Sequence, residues 1–416
     1  MKNSLTPGSA VPMPPENAAP CSANRRRFNF GAFPQDVVIT GPLPSLGTIL
    51  EEFAVLEEAP SRVLVVCDEH TLPLARSVAS SATTPFCVLE PGEARKNLAA
   101  VERILRHAHD AGLGRDSLFI ACGGGVVSDL AGFAASVYMR GVGLCVISTS
   151  LLGMADASVG GKTGCDLFGI KNLAGSFYPA RLVYLCTGSL ATLPAAEWKS
   201  GMAELIKTAV LDGEDFFRLL ETAPNPLFKT APELPAGKNR GVPALRSSGQ
   251  DVLREAITRA VAYKGRIVEE DPRETGGRRI LLNLGHSFGH ALESSSGLGQ
   301  ISHGEAVAWG IARACELGQL LGITPPERAR RILSLLKSHG YETAAPHPLM
   351  GDPGLYMSAL AGDKKNRRGK LVFVIPAARG AEVLRDPPGR ELLLNIVTGK
   401  PPPAPGQILE KNQETP

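Results

Sequence analysis

The feature that most constrains this fold is an alternation of short β-branched runs with helical stretches over its first half. Runs at 62–67, 86–89, 117–122, 144–148 and 182–185 are separated by stretches such as 97–111 that carry helical periodicity. Such spacing predicts βαβ units and a mainly parallel sheet. After Leu193-Pro194 the pattern changes: 196–210, 250–268, 287–295, 304–321 and 326–339 read as helices with few strand signals. A chain of 416 residues exceeds what one hydrophobic core holds, about 250–300 residues, so two domains are expected. The expected division is an α/β N-terminal domain with a mainly parallel sheet over 28–193 and a mainly α-helical C-terminal domain over 194–400. Residues 1–27 read as a disordered extension, 222–248 as a Pro/Gly/Ser-rich loop or insertion, and 401–416 as a flexible tail.

Composition excludes several classes. Apolar residues make up 44% and charged residues 20%, ordinary for a globular protein. The net charge is +3, and the basic runs Arg25-Arg26-Arg27 and Lys364-Lys365-Asn366-Arg367-Arg368 lack interleaved aromatics, so no nucleic-acid partner is expected. The longest uncharged apolar segment, 142–155, is too short and too rich in Ser and Thr to span a bilayer. Eight cysteines include no C-x-x-C pair and read as free thiols in a reducing compartment. A cytoplasmic enzyme is the expectation.

Leu118-Phe119-Ile120-Ala121-Cys122-Gly123-Gly124-Gly125-Val126-Val127-Ser128-Asp129 runs from a strand through three glycines into a helix start. Glycines allow close backbone approach to a diphosphate, and a helix N-terminus favours negative charge. A plain glycine-rich turn is the competing reading, and Asp129 could equally cap the helix. Asp68 ends a strand where a ribose could bind, and Glu93 with Lys96 could bracket an adenosine; surface loops would look the same. Ser148-Thr149-Ser150 places three hydroxyls at a strand end. From Asp156 through Gly160-Gly161-Lys162 to Lys171-Asn172, two lysines, an acid and an amide are packed among glycines. Lysine clamps phosphate as a point charge, and Asn or Asp binds sugar hydroxyls. A structural loop needs no such set.

The second half carries a different chemistry. In Leu284-Gly285-His286-Ser287-Phe288-Gly289-His290 two histidines stand at i, i+4 on one helix face, and His303 follows. Three of the eight histidines thus fall within 18 residues. Catalytic zinc takes three protein ligands and leaves a position open. A carboxylate would complete the set, and Glu204 is an acid in an otherwise apolar helix. Burying it requires a partner.

Assembled in order, the blocks GGGVVSDLAGFAASVYMRG, DASVGGKTG, KNLAGSFYP, TLPAAEWKSGMAELIK, LLNLGHSFGHALE, HGEAVAWG and DKKNRRGKLVFVIP resemble the 3-dehydroquinate synthase family of sugar-phosphate cyclases, from about Asp68 to about Pro376. The resemblance implies that Glu204, His286 and His303 ligate a divalent metal, zinc or cobalt. It implies NAD contacts at Asp68, Glu93, Lys96, Gly124, Gly125, Val126, Asp129, Thr149, Ser150 and Lys171. Substrate contacts are implied at Arg140, Asp156, Lys162, Asn172, Lys264, Asn283, His290 and Lys365, with proton transfer at Glu274 and His290. Arg140 would come from the partner subunit, which implies a homodimer.

The sequence departs from the family pattern in places. Ser148-Thr149-Ser150 replaces Pro-Thr-Thr, and Cys165-Asp166 replaces Val-Asn. One extra residue lies between Glu274 and Asn283, so the active-site arginine is Arg278 or Arg279; Arg279 keeps the four-residue spacing to Asn283. The implied reaction converts 3-deoxy-D-arabino-heptulosonate 7-phosphate to 3-dehydroquinate and phosphate, within the shikimate pathway of aromatic amino acid biosynthesis. It passes through transient oxidation by NAD, β-elimination, re-reduction and intramolecular aldol closure. A sister cyclase making another carbocycle is the alternative.

Overall fold

The computed structural model describes residues 24–79, 81–223, 247–297, 299–362, 371–385 and 388–401. Strands β1 (Arg25–Phe30), β2 (Phe33–Thr40), β3 (Val63–Asp68), β4 (Phe86–Leu89), β5 (Leu118–Gly123) and β6 (Gly143–Ser148) are followed by a hairpin, β7 (Lys162–Leu167) and β8 (Ile170–Phe177), and by β9 (Leu182–Cys186). Seven of them form one sheet in the order β1-β2-β9-β6-β5-β3-β4. Every pairing in it is parallel except β1 with β2.

Successive side chains along each strand serve opposite faces. On β3, Val65 and Cys67 join Ile120, Cys122, Ile147 and Tyr184 on the face covered by α1 (Leu46–Leu56) and α2 (Leu72–Val78). Leu64 and Val66 join Phe119, Ala121 and Val183 on the other face, beneath α3 (Leu98–Asp110) and α4 (Gly125–Val137). That second core continues without a break into the helices that follow. Both faces are therefore covered, which is why these strands read as continuous apolar runs.

The helical half comprises α5 (Ala195–Asp212), α6 (Glu214–Glu221), α7 (Ser247–Glu270), α8 (His286–Ser296), α9 (His303–Leu320), α10 (Pro326–Ser338), α11 (Pro353–Ala361) and α12 (Arg390–Thr398), with a small antiparallel pair, β10 (Phe373–Pro376) and β11 (Ala381–Leu384). No described helix is long and apolar enough to cross a membrane.

Arg25–Arg27, expected within the disordered extension, instead belong to β1. The cause is Asp36 on β2, 1% exposed, whose carboxylate accepts from Arg27 at 2.8 and 3.0 Å and from Arg181 at 3.0 Å. A buried acid needs those cations, and they fix the edge strand. The rest of the extension, nearly all of 222–248, Lys365, and the tail beyond Pro401 lie outside the described residues.

Candidate active site

The carboxyl ends of β3, β5 and β6 lie side by side, carrying Asp68, Gly123 and Ser148. The chain runs from β3 outward to β4 and then back to the opposite side of β3 with β5, a reversal of strand order. In open parallel sheets ligands bind outside the carboxyl ends of the strands at such a reversal. Gly124 caps α4 there, and no side chain caps its first turn. The amides of Gly125 and Val126 are thus available to an anion. A Cβ at Gly124 would come within 3.1 Å of Ser150 Oγ, so glycine keeps the backbone close to that hydroxyl. Thr149 and Ser150 are buried directly after β6, where the Thr149 amide donates to Gly123 O at 3.0 Å. Asp68 accepts from the amide and hydroxyl of Thr71 at 2.8 and 2.7 Å, a local turn at the mouth of the cleft.

Lys96 connects this cleft to the hairpin. Its ammonium donates to Asp129 Oδ2 and to Asn172 Oδ1, both at 2.6 Å, with Glu93 4.0 Å away. Burial raises the Asp129 carboxyl above its ordinary value, against the pull of Lys96. Asn172 sits at φ 50 on β8, its amide held by Asp166 at 2.7 Å.

In the helical half, Glu204, His286 and His303 offer ligand atoms all within 4.8 Å of one another. Three local devices bring them together. Ser302 and Glu305 form a capping box that starts α9 at His303. Gly304 packs so tightly on Ser200 of α5 that a side chain would clash with that backbone. Gly285, at φ 79, turns the chain into α8; a Cβ there would stand 2.6 Å from Val307 O, so only glycine lets His286 approach α9.

The donor set suits a divalent cation. Both oxygens of Glu204 are buried: Oε2 has the Lys207 ammonium beside it, and Oε1 faces the two imidazoles. Oε1 stands 3.4 Å from His303 Nε2 and 3.7 Å from His286 Nε2. His286 Nδ1 lies 3.1 Å from Leu284 O, an interaction that makes Nδ1 the donor and leaves Nε2 with its lone pair. Two imidazole nitrogens and a carboxylate oxygen form a common zinc ligand set.

Charges around this triad are balanced by buried lysines. Lys207, one turn from Glu204 and 1% exposed, pairs with it and lies 3.8 Å from Asp156 Oδ1. Burial opposes the Glu204 charge, but Lys207 and His303 together outweigh it and hold the carboxyl below its ordinary value. Asp156 is likewise opposed by burial yet held well below the carboxylate range by Lys264, 3.0 Å away, and by Lys207. Burial also works against a charged His303, but Glu204 and Glu293 overcome it and raise its pKa to about 9.

A model of the 3-dehydroquinate synthase N-terminal region matches residues 86–200, and one of the C-terminal region matches 201–366. A 3-dehydroquinate synthase of Synechococcus sp. (strain CC9605) is 39% identical over 371 residues, covering 88% of this chain and 94% of that protein. The chain belongs to the 3-dehydroquinate synthase family. Another member, from Colwellia psychrerythraea, is 37% identical over 340 residues, covering 81% of this chain and 90% of its own. Among solved structures, 2-epi-5-epi-valiolone synthase from Streptomyces hygroscopicus subsp. jinggangensis 5008, with NAD+ and Zn2+ bound, superposes with a TM-score of 0.72 at 28% identity, over 87% of this chain and 95% of that one.

Other residues expected from the 3-dehydroquinate synthase pattern fall around the same centre. Lys162 donates to Glu274 at 2.5 Å. His290 lies one turn after His286, with ring centroids 5.2 Å apart, and 6.0 Å from the His303 ring. Arg279 is buried and donates to Gly160 O at 3.1 Å and Pro272 O at 2.8 Å, whereas exposed Arg278 pairs with Glu270 at 2.9 Å. Only Arg279 reaches the Asp156–Lys162 segment. Asn283 closes a 3-10 turn just before His286. Arg140 is exposed, at φ 71, in the 3-10 turn that follows α4.

Three residues were missed by sequence reasoning. Lys207 is the partner the buried Glu204 required, and its i,i+3 spacing in Gly201-Met202-Ala203-Glu204-Leu205-Ile206-Lys207 was the available signal. Glu293 shares the α8 face of His286 and His290 at i+7 and i+3. Asp271 accepts from the amides of Thr275 and Gly276 at 2.8 Å each and from Arg278 and Arg279 at 3.1 and 3.2 Å, tying down the loop that carries Glu274. As the last of three consecutive acids, Glu269-Glu270-Asp271, it gives no sequence hint of that role.

Proposed function

We propose that this chain is a 3-dehydroquinate synthase, a lyase converting 3-deoxy-D-arabino-heptulosonate 7-phosphate to 3-dehydroquinate and phosphate. The observation that carries the reading is a pair of polar contact chains, one from each half, that meet at adjacent residues of β8. One runs from Asp129 through Lys96 to Asn172 on β8, and the other from its neighbour Lys171 through Glu293 and His303 to Glu204. A nucleotide cleft and a metal triad joined in this way support redox and elimination chemistry on one sugar. Family membership supplies the substrate.

Glu204, His286 and His303 would hold zinc or cobalt, and Gly124, Gly125, Val126, Thr149, Ser150, Asp68, Glu93, Lys96, Asp129 and Lys171 would hold NAD. When bound, NAD takes up and returns a hydride while the cation polarises the sugar hydroxyls. The chain's own residues do the rest. Lys162, Asn283, Lys365 and the partner subunit's Arg140 orient the phosphate by charge and hydrogen bonding. Asp156, Asn172, Lys264 and Arg279 fix the ring and carboxylate so that the reacting atoms meet. His290, at a ring nitrogen, and Glu274, at its carboxylate, move protons.

A homodimer is part of this reading. The end of α4 and the hairpin expose Val137, Met139, Phe168, Ile170, Leu173 and Phe177, apolar area suited to a second copy beside Arg140. A cytoplasmic location accords with seven free, buried cysteines among the described residues.

The valiolone synthase likeness makes a sister cyclase the second reading. Phosphate release from the heptulosonate phosphate, a sedoheptulose phosphate and a glucose phosphate, each with and without chelator, separates them. Release from the heptulosonate alone, abolished by chelator and without net NADH, is expected. Release from only another sugar phosphate refutes the assignment.

A further inference from the structure

We propose that Glu293 is the positioning residue of the metal centre: its carboxylate fixes the His303 ring with Nε2 toward the cation, and Lys171 fixes Glu293. The inference rests on reading Glu204, His286 and His303 as metal ligands, and it assigns a role to two residues outside that set.

His303 lies between two carboxylates. Its Nε2 is 3.4 Å from Glu204 Oε1, and its Nδ1 is 3.5 Å from Glu293 Oε2. A neutral imidazole has one donor nitrogen and one acceptor nitrogen. A carboxylate beside Nδ1 keeps the hydrogen there and leaves the Nε2 lone pair for a cation. His286 is arranged the same way, with Leu284 O at its Nδ1. Carboxylate or carbonyl partners of this kind orient metal-bound histidines and raise their basicity.

Glu293 is itself held. Its side chain is 10% exposed, and its Oε1 takes the Lys171 ammonium at 3.2 Å. Lys171 precedes Asn172 on β8, and Asn172 is gripped by Lys96. The orientation of His303 is therefore set from the sheet half of the molecule.

A different role for Glu293 deserves comparison. His290, Glu293 and His303 also offer ligand atoms within 4.8 Å of one another, as a second cation site would. The Lys171 ammonium against Glu293 opposes that: a divalent cation there would face a positive charge already on its carboxylate.

The test uses the full chain stripped of metal, titrated with Co2+ against a competing chelator. Co2+ affinity, its stoichiometry and the ligand-field absorption spectrum are read, with circular dichroism as the check on folding. Glu293→Ala is expected to weaken Co2+ roughly 10–100-fold, the usual cost of losing such a partner, and to alter the spectrum. Glu293→Gln keeps an uncharged acceptor; since charge-assisted bonds are about twice as strong, it should fall between parent and Ala. Lys171→Met should weaken Co2+ by less than Glu293→Ala does. A folded Glu293→Ala with parental affinity and spectrum overturns the proposal. Should that variant not fold, parental affinity and spectrum in Glu293→Gln overturn it. A second Co2+ equivalent in the parent that Glu293→Gln abolishes also overturns it, because Glu293 would then be a ligand. His286→Ala is the control: if it binds Co2+ like the parent, the ligand reading itself fails, whatever Glu293 does.

Discussion

Metal binding to this protein should be steeply pH-dependent, and His303 sets the size of the effect. In the metal-free fold its pKa is about 9, because Glu204 and Glu293 outweigh the burial that would lower it. A cation needs the neutral ring, so a proton must leave first. At pH 7, two units below that pKa, about 1% of the rings are neutral, a cost of about 2.7 kcal/mol at 1.36 kcal/mol per unit. The apparent association constant should therefore rise about tenfold per pH unit from 6.5 to 8.5 and level off near 9. Chelator competition with Co2+ at several pH values, corrected for protonation of the chelator, measures the slope. Repeating the titration calorimetrically in buffers of different ionisation enthalpy counts the released protons. The metal-free fold should move the opposite way. A histidine whose pKa rises on folding contributes stability that is full below its ordinary 6.5 and lost as pH climbs through 9. The thermal midpoint of the stripped protein should accordingly lose this contribution across the interval in which metal affinity grows. A flat affinity from pH 6.5 to 8.5 would refute the argument.

Other outcomes follow from single contacts. Lys207→Met leaves Glu204 buried without its cation and should destabilise the metal-free protein by about 3–5 kcal/mol in denaturant titration; unchanged stability would contradict the pairing. Arg279→Ala strands the carbonyls of Gly160 and Pro272 and should cost about 1–3 kcal/mol for each carbonyl left unpaired, while Arg278→Ala, removing a surface pair, should cost less than about 1. The reverse ranking would show that the wrong arginine was assigned inward. A thiol reagent should leave the seven described cysteines unmodified in the native protein, since all are buried, and burial pushes the Cys67, Cys186 and Cys315 thiols up to about 12. Rapid modification of any of them would mean that the sheet or α9 opens.

Much of this architecture was legible from periodicity. The five strands read from β-branched runs form the contiguous block β9-β6-β5-β3-β4 of the sheet, whose interior members are buried on both faces and leave an apolar signature. The β1 edge was not: it carries three arginines, which look solvated until Asp36 is seen beside them. The β7–β8 hairpin is polar and glycine-rich, and it was read by its chemistry, not its shape. α11 and α12 are nine residues each, too short for their pattern to stand out against neighbouring loops. In the site, the grouping of Glu204, His286 and His303 was legible because histidines are scarce. The lysine and carboxylate partners were not, since Lys207, Glu293 and Asp271 are common residues whose roles come from burial alone.

The cradle formed by Asp271 has a consequence for how such chains drift in length. Its two oxygens bind amides on both sides of Gly277, which takes φ 80 and whose own amide is not among those four. A residue gained or lost at that point changes the arc between two fixed anchors, not the anchors themselves. Arg279 and Asn283 can then keep their mutual spacing while Glu274, upstream, stays against Lys162. A single residue gained or lost there would be taken up at Gly277, leaving the spacing from Arg279 to the histidines unchanged.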